Sequence, residues 1–301
     1  MTRAALALVL AACATPGEST PDAPGGGGGD GSIDGMPRPD APPGCSRPSL
    51  DAPWLRSMVL DDVGQLAAAP RASSAQRQAA RTFLSQRLTA LGWTPQTQMY
   101  NTGINVYATI PATMGGTGKE VILGAHFDTV TGSPGANDNA SGAAVVLAVA
   151  RYLADTPCRT APVTVVMFDQ EETGLFGARA FAQTRLPANV RAVHTIDQVA
   201  WDQDGDRRFE LESPSAALET EWRAAAQVVG VPLTTTSTQG TDHEAFRDRG
   251  FSAIGLTEEY VGGDTSPHRH LPQDTAATVN ADYLVLAAKL TAQVVLEEVA
   301  P

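Results

Sequence analysis

The chain reads as a single α/β domain, a mixed, mostly parallel central sheet with helices on both faces. Three observations lead there. Compact apolar runs of strand length recur at Val121–Leu123, Val163–Phe168, Val190–Ile196 and Ala253–Leu256. They are separated by helical patterns, and they are mostly apolar rather than strictly alternating, as strands are when both sheet faces are covered. Residues 51–301, with the amino-terminal stretch set aside, fit one large domain.

Each element has its own reason. Ser73–Leu91 carries apolar residues at Ala79, Phe83, Leu84, Leu88 and Leu91, a helical stripe that Gly92 ends. Gln96–Ile110 alternates well enough for one or two strands. The Val121 run is the next strand, and Ser141–Leu153, strongly apolar and rich in Ala, is the helix after it. The Val163, Val190 and Ala253 runs add three strands. Leu284–Val299 reads as a final amphipathic helix packed on the sheet.

The amino terminus is different in kind. Arg3 precedes the short apolar run Ala4–Ala12, and Leu10-Ala11-Ala12-Cys13 closes it, the layout of an export signal. Residues 1–13 are expected to be a lipoprotein-type signal, with Cys13 as the lipidated residue; an ordinary secretory signal cleaved near Ala14 is the alternative. Residues 14–50, rich in Gly, Pro and Asp with Gly25–Gly29 at their centre, cannot bury enough apolar area to offset ordering and read as a flexible tether. The chain is thus expected to be an exported bacterial protein, either anchored by lipid or free outside the cytoplasm. Cys45 and Cys158 remain, and in an oxidising compartment they form one disulfide; two free thiols are the alternative. Net charge is −12, and the absence of a basic face argues against nucleic acid. Membrane contact is expected only through Cys13.

Five potential metal ligands lie along the chain, each in its own motif: His126 in Gly-Ala-His-Phe-Asp, Asp138 in Gly-Ala-Asn-Asp-Asn-Ala-Ser-Gly, Glu172 in Glu-Glu-Thr-Gly-Leu-Phe-Gly, Asp197 in Thr-Ile-Asp and His270 in His-Leu-Pro-Gln-Asp. Two imidazoles and three carboxylates suit a pair of zinc ions sharing one carboxylate. Asp128 and Glu171 stand beside them as a supporting carboxylate and a proton acceptor. His126, the Glu171-Glu172 pair and Asp197 all follow predicted strands, and ligands of open α/β sheets gather beyond the carboxyl ends of strands.

Taken together, His126-Phe-Asp128, Asn137–Gly142, Glu171–Gly177, Asp197 and His270-x-x-x-Asp274 resemble the co-catalytic zinc aminopeptidase family. Bacterial leucyl aminopeptidases, glutamate carboxypeptidase II and the glutaminyl cyclases belong to it, and the likeness runs from Ser73 to the end. The resemblance implies the zinc-dependent exopeptidase (phosphorylase/hydrolase-like) fold and two Zn2+ per chain. Asp138 would bridge them, Glu172 and His270 would complete one site, and His126 and Asp197 the other. It further implies that Asp128 orients His126 and that Glu171 is the general base acting on a metal-activated bridging water. The substrate would be a peptide with a free amino terminus. Relatives place an oxyanion-stabilising tyrosine near the last His or before a Ser-Asp-His stretch; here only Tyr260 is close to such a place.

Other residues are set aside. His268 competes with His270, but the spacing to Asp274 favours His270. His243, in Thr241-Asp242-His243, reads as a pocket residue rather than a ligand, and His194 as a satisfied interior residue. Asp202, Asp204 and Asp206 mimic a calcium loop without its glycine or closing glutamate and read as a polar turn. The leading function is metallo-aminopeptidase. Glutaminyl-peptide cyclisation with one zinc, an acidic carboxypeptidase and a silent surface-binding module are the alternatives.

Overall fold

The apolar runs form the middle of an eight-stranded sheet. In the computed structural model, which describes residues 42–115 and 118–301, the strands are β1 (Gln96–Met99), β2 (Ile104–Ile110), β3 (Glu120–His126), β4 (Val163–Phe168), β5 (Val190–Ile196), β6 (Phe209–Glu212), β7 (Leu233–Thr236) and β8 (Ala253–Thr257). Their spatial order is β1-β2-β4-β3-β5-β8-β6-β7. The contiguous block β4-β3-β5-β8 is parallel throughout. Antiparallel pairing appears only outside it, where β2 meets β1 and β4 and where β6 meets β8.

The helices are α1 (Leu55–Leu66), α2 (Ser74–Ala90), α3 (Gly142–Ala154), α4 (Phe176–Ala182), α5 (Ala216–Val229), α6 (Asp242–Arg247) and α7 (Ala281–Glu298). Strand alternation splits the core in two. Val163, Val165 and Met167 of β4 pack with Leu123 of β3, α1, α2, α3, α5 and α7. Val166 and Phe168 face the other way, onto Ala178 and Phe181 of α4 and Phe246 of α6. Each parallel strand therefore buries both faces, which is why its sequence shows no polar alternation. Burying a large aliphatic or aromatic side chain contributes roughly 1.5–3 kcal/mol, so the two layers hold the strand ends in fixed relation.

Local signals set the helix starts. Ser73 and Gln76 form a reciprocal capping box at α2. Asn280 accepts from the backbone N–H groups of Asp282 and Tyr283, which starts α7 at Ala281, one turn before the apolar stripe at Leu284. His194 on β5 is interior: its Nε2 lies 3.0 Å from Glu298 Oε2, and its Nδ1 accepts from Trp222 Nε1 at 3.2 Å.

Residues just before residue 51 make contacts with the domain. Cys45 is bonded to Cys158 in the loop between α3 and β4, Arg47 pairs with Glu297, and the Leu50 carbonyl accepts from Tyr152 Oη at 2.8 Å. The expectations for residues 1–13, for Cys13 and for residues 14–41 lie outside the described residues. Among the described residues no helix is long and apolar enough to cross a membrane.

Candidate metal centre

Strand ends and the turns after them bring the acidic and imidazole groups to one rim. His126 is the last residue of β3, and the ladder continues one step as Phe127 N–H donates to the Phe168 carbonyl at 3.0 Å. Asp197 follows β5 directly, its N–H donating to the Leu256 carbonyl of β8 at 3.0 Å. Glu171 and Glu172 sit in the turn after β4. There the Glu171 carbonyl accepts from Gly174 at 2.8 Å and from Leu175 at 2.9 Å. Asp138 lies in an irregular turn, Ala136–Ser141, that leads into α3. Gly142 begins that helix tight against β5: a Cβ there would lie 2.3 Å from the Ile196 carbonyl oxygen. A side chain there would also meet Asn139 Oδ1 at 2.4 Å, so the close packing of helix start, turn and strand needs a glycine.

All five predicted ligands meet, in two groups. His126, Asp138 and Asp197 each offer a donor atom within 4.8 Å of the others, and so do Asp138, Glu172 and His270. Asp138 is common to both, and its two oxygens face opposite ways. Oδ1 lies 3.3 Å from His126 Nε2, while Oδ2 lies 3.1 Å from His270 Nε2. Asp197 Oδ1 closes the first group at 3.3 Å from His126 Nε2, and Glu172 Oε2 the second at 3.0 Å from His270 Nε2. His268 stands outside both groups and packs edge-on to Trp201, with ring centroids 5.4 Å apart.

These donors fit a pair of cations better than they fit one another. Each Nε2 faces two carboxylate oxygens at once, yet a ring nitrogen carries at most one hydrogen. Glu172 Oε1 is buried without a hydrogen-bond partner. Burial pushes the Glu171 carboxyl up to about 10, with His126 opposing and Asp197, Asp242 and Asp138 adding to the rise. Burial and then Asp138 push Glu172 up to about 7 against His126 and His270. Crowded carboxylates that resist ionisation mark a place for positive charge, and a mixed imidazole–carboxylate set is one that zinc accepts.

Two aspartates fix the ligands from outside. Asp128 Oδ1 accepts the Glu171 N–H at 2.9 Å, and its Oδ2 accepts the Glu172 N–H at 3.2 Å. The same Oδ1 lies 3.5 Å from His126 Nδ1, so one carboxylate ties the β3 ligand to the β4 turn. Asp274 accepts the N–H groups of Asn137 and Asp138, at 2.8 and 3.0 Å, and so clamps the backbone of the shared ligand. In the same turn Asn139 donates to the Ile196 carbonyl at 2.8 Å and accepts from Gly142 and Gln198.

Three residues near the centre carried no flag as site residues in the sequence. Arg71, fully buried, donates to the carbonyls of Phe127, Leu66, Pro134 and Gly135 and so holds the loops on either side of Asp128 and Asp138. It lies in a short loop with no pattern that would have exposed it. Glu258, at 0% exposure, gathers Asn137, Gln198, Trp201, Thr265 and Ser266 onto one carboxylate. It follows β8 as Asp197 follows β5, so its position at a strand end was the available signal. Arg269 Nε lies 3.3 Å from Asp138 Oδ2, and its place beside His270 was the clue. Tyr260, the predicted oxyanion donor, is 44% exposed at the rim, its ring centroid 5.8 Å from Arg269 Cζ.

The remaining polar candidates stay apart. His243 is interior, pushed down to about 4 by burial, with Nδ1 at 2.7 Å from Thr241 Oγ1. Asp202, Asp204 and Asp206 do come together. Asp202 accepts backbone N–H groups from Gly205 and Arg207, Asp204 from Asp206, and Asp206 from Arg208, which makes a self-satisfied turn.

Comparison with known proteins identifies the family. Residues 105–295 match Peptidase family M28, and the chain belongs to that family. Aminopeptidase YwaD of Bacillus subtilis (strain 168) is 28% identical over 191 residues, which cover 60% of this chain and 41% of that one. The probable lipoprotein aminopeptidase LpqL of Mycobacterium tuberculosis is 29% identical over 160 residues, 47% of this chain and 32% of LpqL. The chain therefore spans less than half the length of these curated relatives. Among solved structures, the aminopeptidase from Aneurinibacillus sp. strain AM-1 superposes with a TM-score of 0.73 at 15% identity, covering 82% of this chain and 94% of that one. At that identity the likeness is one of fold.

Proposed function

We propose that this protein is an exported metallo-aminopeptidase that hydrolyses the first peptide bond of peptides with a free amino terminus. The observation that carries the reading is the shared Asp138 carboxylate, whose two oxygens serve two separate donor groups 3.3 and 3.1 Å away. His126, Asp138 and Asp197 would hold one zinc, and Asp138, Glu172 and His270 the other. Bound there, the ions supply Lewis acidity, making a water nucleophilic near neutral pH and polarising the scissile carbonyl.

The chain's own groups do the rest. Glu171 faces the cluster, takes the proton of the attacking water on its carboxylate and returns it to the leaving amine. Asp128 keeps Glu171 and His126 in register through the contacts described above. The buried floor, with Asp138 and Asp197 at 4% and 9% exposure, excludes bulk water and strengthens each charge interaction. Tyr260 is assigned to the oxyanion. Export and a lipid anchor on Cys13 rest on the amino-terminal pattern and on the lipoprotein description of the LpqL relative.

The test is metal content together with turnover. The zinc-loaded protein is expected to hold about two ions per chain and to release p-nitroaniline from aminoacyl-p-nitroanilides, with loss of activity on chelation. One ion per chain together with cyclisation of an amino-terminal glutamine would replace the peptidase reading by the cyclase. Two bound ions without turnover on any such substrate would refute the aminopeptidase.

A further inference from the structure

Two arginines bear on the metal cluster among the described residues, and they are built for different tasks. Arg71 is fully buried, and its Nε, Nη1 and Nη2 are spent on backbone carbonyls. It can brace loops but cannot reach a substrate. Among the described residues the Arg269 side chain meets Asp138 Oδ2, through Nε at 3.3 Å, and the Tyr260 ring. Its side chain is 42% exposed, next to His270 at 37%, whereas the other two ligands of that group, Asp138 and Glu172, are 4% and 7% exposed. Arg269, His270 and Tyr260 thus lie on an exposed side of the centre, where the guanidinium can meet an incoming group.

Asp138 is a poor permanent partner for it. Both Asp138 oxygens face the imidazoles of the two donor groups, so this carboxylate serves those groups first. Among the described residues, no side chain or carbonyl accepts a hydrogen bond from the two Nη groups of Arg269. A half-exposed guanidinium with two free donors side by side matches a carboxylate in fork geometry. The tyrosine face beside it limits its freedom and favours one pose.

We propose that Arg269 is a specificity-determining residue that selects substrates with a carboxylate close to the scissile bond. This rests on the peptidase reading above and deepens it. The carboxylate comes either from an acidic side chain on the residue being removed or from the free carboxyl terminus of a dipeptide. Arg269 also contacts Asp138 Oδ2, so the readout is the preference between charged and neutral substrates, which removal of the guanidinium changes over and above any common effect on turnover.

Four probes separate the sources. Glutamyl- and glutaminyl-p-nitroanilide are near-isosteric and differ in the side-chain charge, while leucylglycine and leucylglycinamide differ in the terminal charge. The zinc-loaded full chain is expected to favour the charged member of at least one pair by about tenfold to a hundredfold in kcat/KM, the usual worth of a hydrogen-bonded charge. Arg269→Leu should bring that ratio close to one, and Arg269→Lys should restore part of it. Collapse of the first ratio assigns the side chain as source, and collapse of the second the terminal carboxylate. A wild-type ratio near one in both pairs, or an equal fall on all four substrates in Arg269→Leu, overturns the proposal. If no substrate turns over, the peptidase reading fails by itself, and calorimetric binding of the same four probes to the metal-loaded wild type and Arg269→Lys still decides. Equal affinity within each pair then refutes the selection.

Discussion

Asp128→Asn is the sharpest probe of how the centre is held. The parent carboxylate accepts two backbone N–H groups, from Glu171 at 2.9 Å and Glu172 at 3.2 Å, and Oδ1 also faces His126 Nδ1 at 3.5 Å. An asparagine has one oxygen to offer. Either orientation sets its NH2 against a backbone donor. The preferred one keeps the oxygen on Glu171 and His126 and turns the NH2 towards Glu172. One hydrogen bond to a charged acceptor is lost and one N–H is left unpaired, about 1.5–3 kcal/mol. Such a loss corresponds to about tenfold to a hundredfold in an equilibrium constant, the range in which outer partners of metal ligands usually act. The penalty falls on the Glu172 turn, so the ion held by Asp138, Glu172 and His270 should weaken by that factor while the His126 group keeps its affinity within about threefold. Competition with a graded series of zinc chelators resolves the two sites. Unchanged affinity at both, or parallel loss of both, would refute this account of Asp128.

Three further outcomes follow from the same geometry. Glu171→Gln should lower kcat by about two to four powers of ten with two zinc ions still bound by elemental analysis; near-parental turnover would remove Glu171 as the base. Replacing Cys45 and Cys158 by Ser opens a bridge with a sequence separation of 113, which chain entropy values at about 4–5 kcal/mol; urea unfolding showing less than about 1 kcal/mol would mean that the segment before α1 is held by its other contacts. The third concerns Glu298. Burial works against its ionisation, but His194 and Arg191 hold its carboxyl below the ordinary glutamate range. A lowered folded-state value contributes stability that is present above the unfolded pKa and is lost as pH falls through the folded one. The stability gap between the parent and Glu298→Gln should therefore be full at neutral pH and close below the ordinary glutamate pKa. A gap that stays constant in denaturant titrations down to pH 3 would contradict the pairing.

Much of this was legible in the sequence, and the physical reason is burial on both sides. Val163–Phe168 and Val190–Ile196 are predominantly apolar because they lie in the parallel block, and their bounds match β4 and β5 residue for residue. The five proposed ligands were readable because each sits in a short motif, His126, Asp197 and Glu172 at or just after strand ends, Asp138 before a helix and His270 in a loop. What escaped was held by tertiary partners. β6 reads Phe-Glu-Leu-Glu, which looks like an exposed charged turn. Yet Glu210 and Glu212 are 1% and 2% exposed, the first accepting from Val261 and Gly262 and the second from the Thr241 hydroxyl. A buried acid declares itself only through partners some 30 to 50 residues away in sequence, and no local pattern contains them. β7 and α6 are short, and α1 lacks a capping side chain; α5 went unassigned although Ser215 caps its start and Gly230 its end.

The motifs supply the ligands but not the distances between them. Those come from residues outside every motif. Glu258 binds Asn137 beside the shared ligand, Gln198 after Asp197, and Ser266 in the loop that leads to His270. Burial pushes its carboxyl up to about 8, and donors from Ser266, Asn137, Thr265 and Trp201 oppose that rise. An acid in that position is costly unless every lone pair is used, so it tolerates one arrangement of the three loops. Arg71 does the same from the opposite direction, joining the loop after β3 to the loop before Asp138 through backbone carbonyls alone. A metal site built on turns would ordinarily be loose. Here a buried carboxylate and a buried guanidinium fix the turns through the fold alone, which is the preorganisation that the proposed metal centre would need.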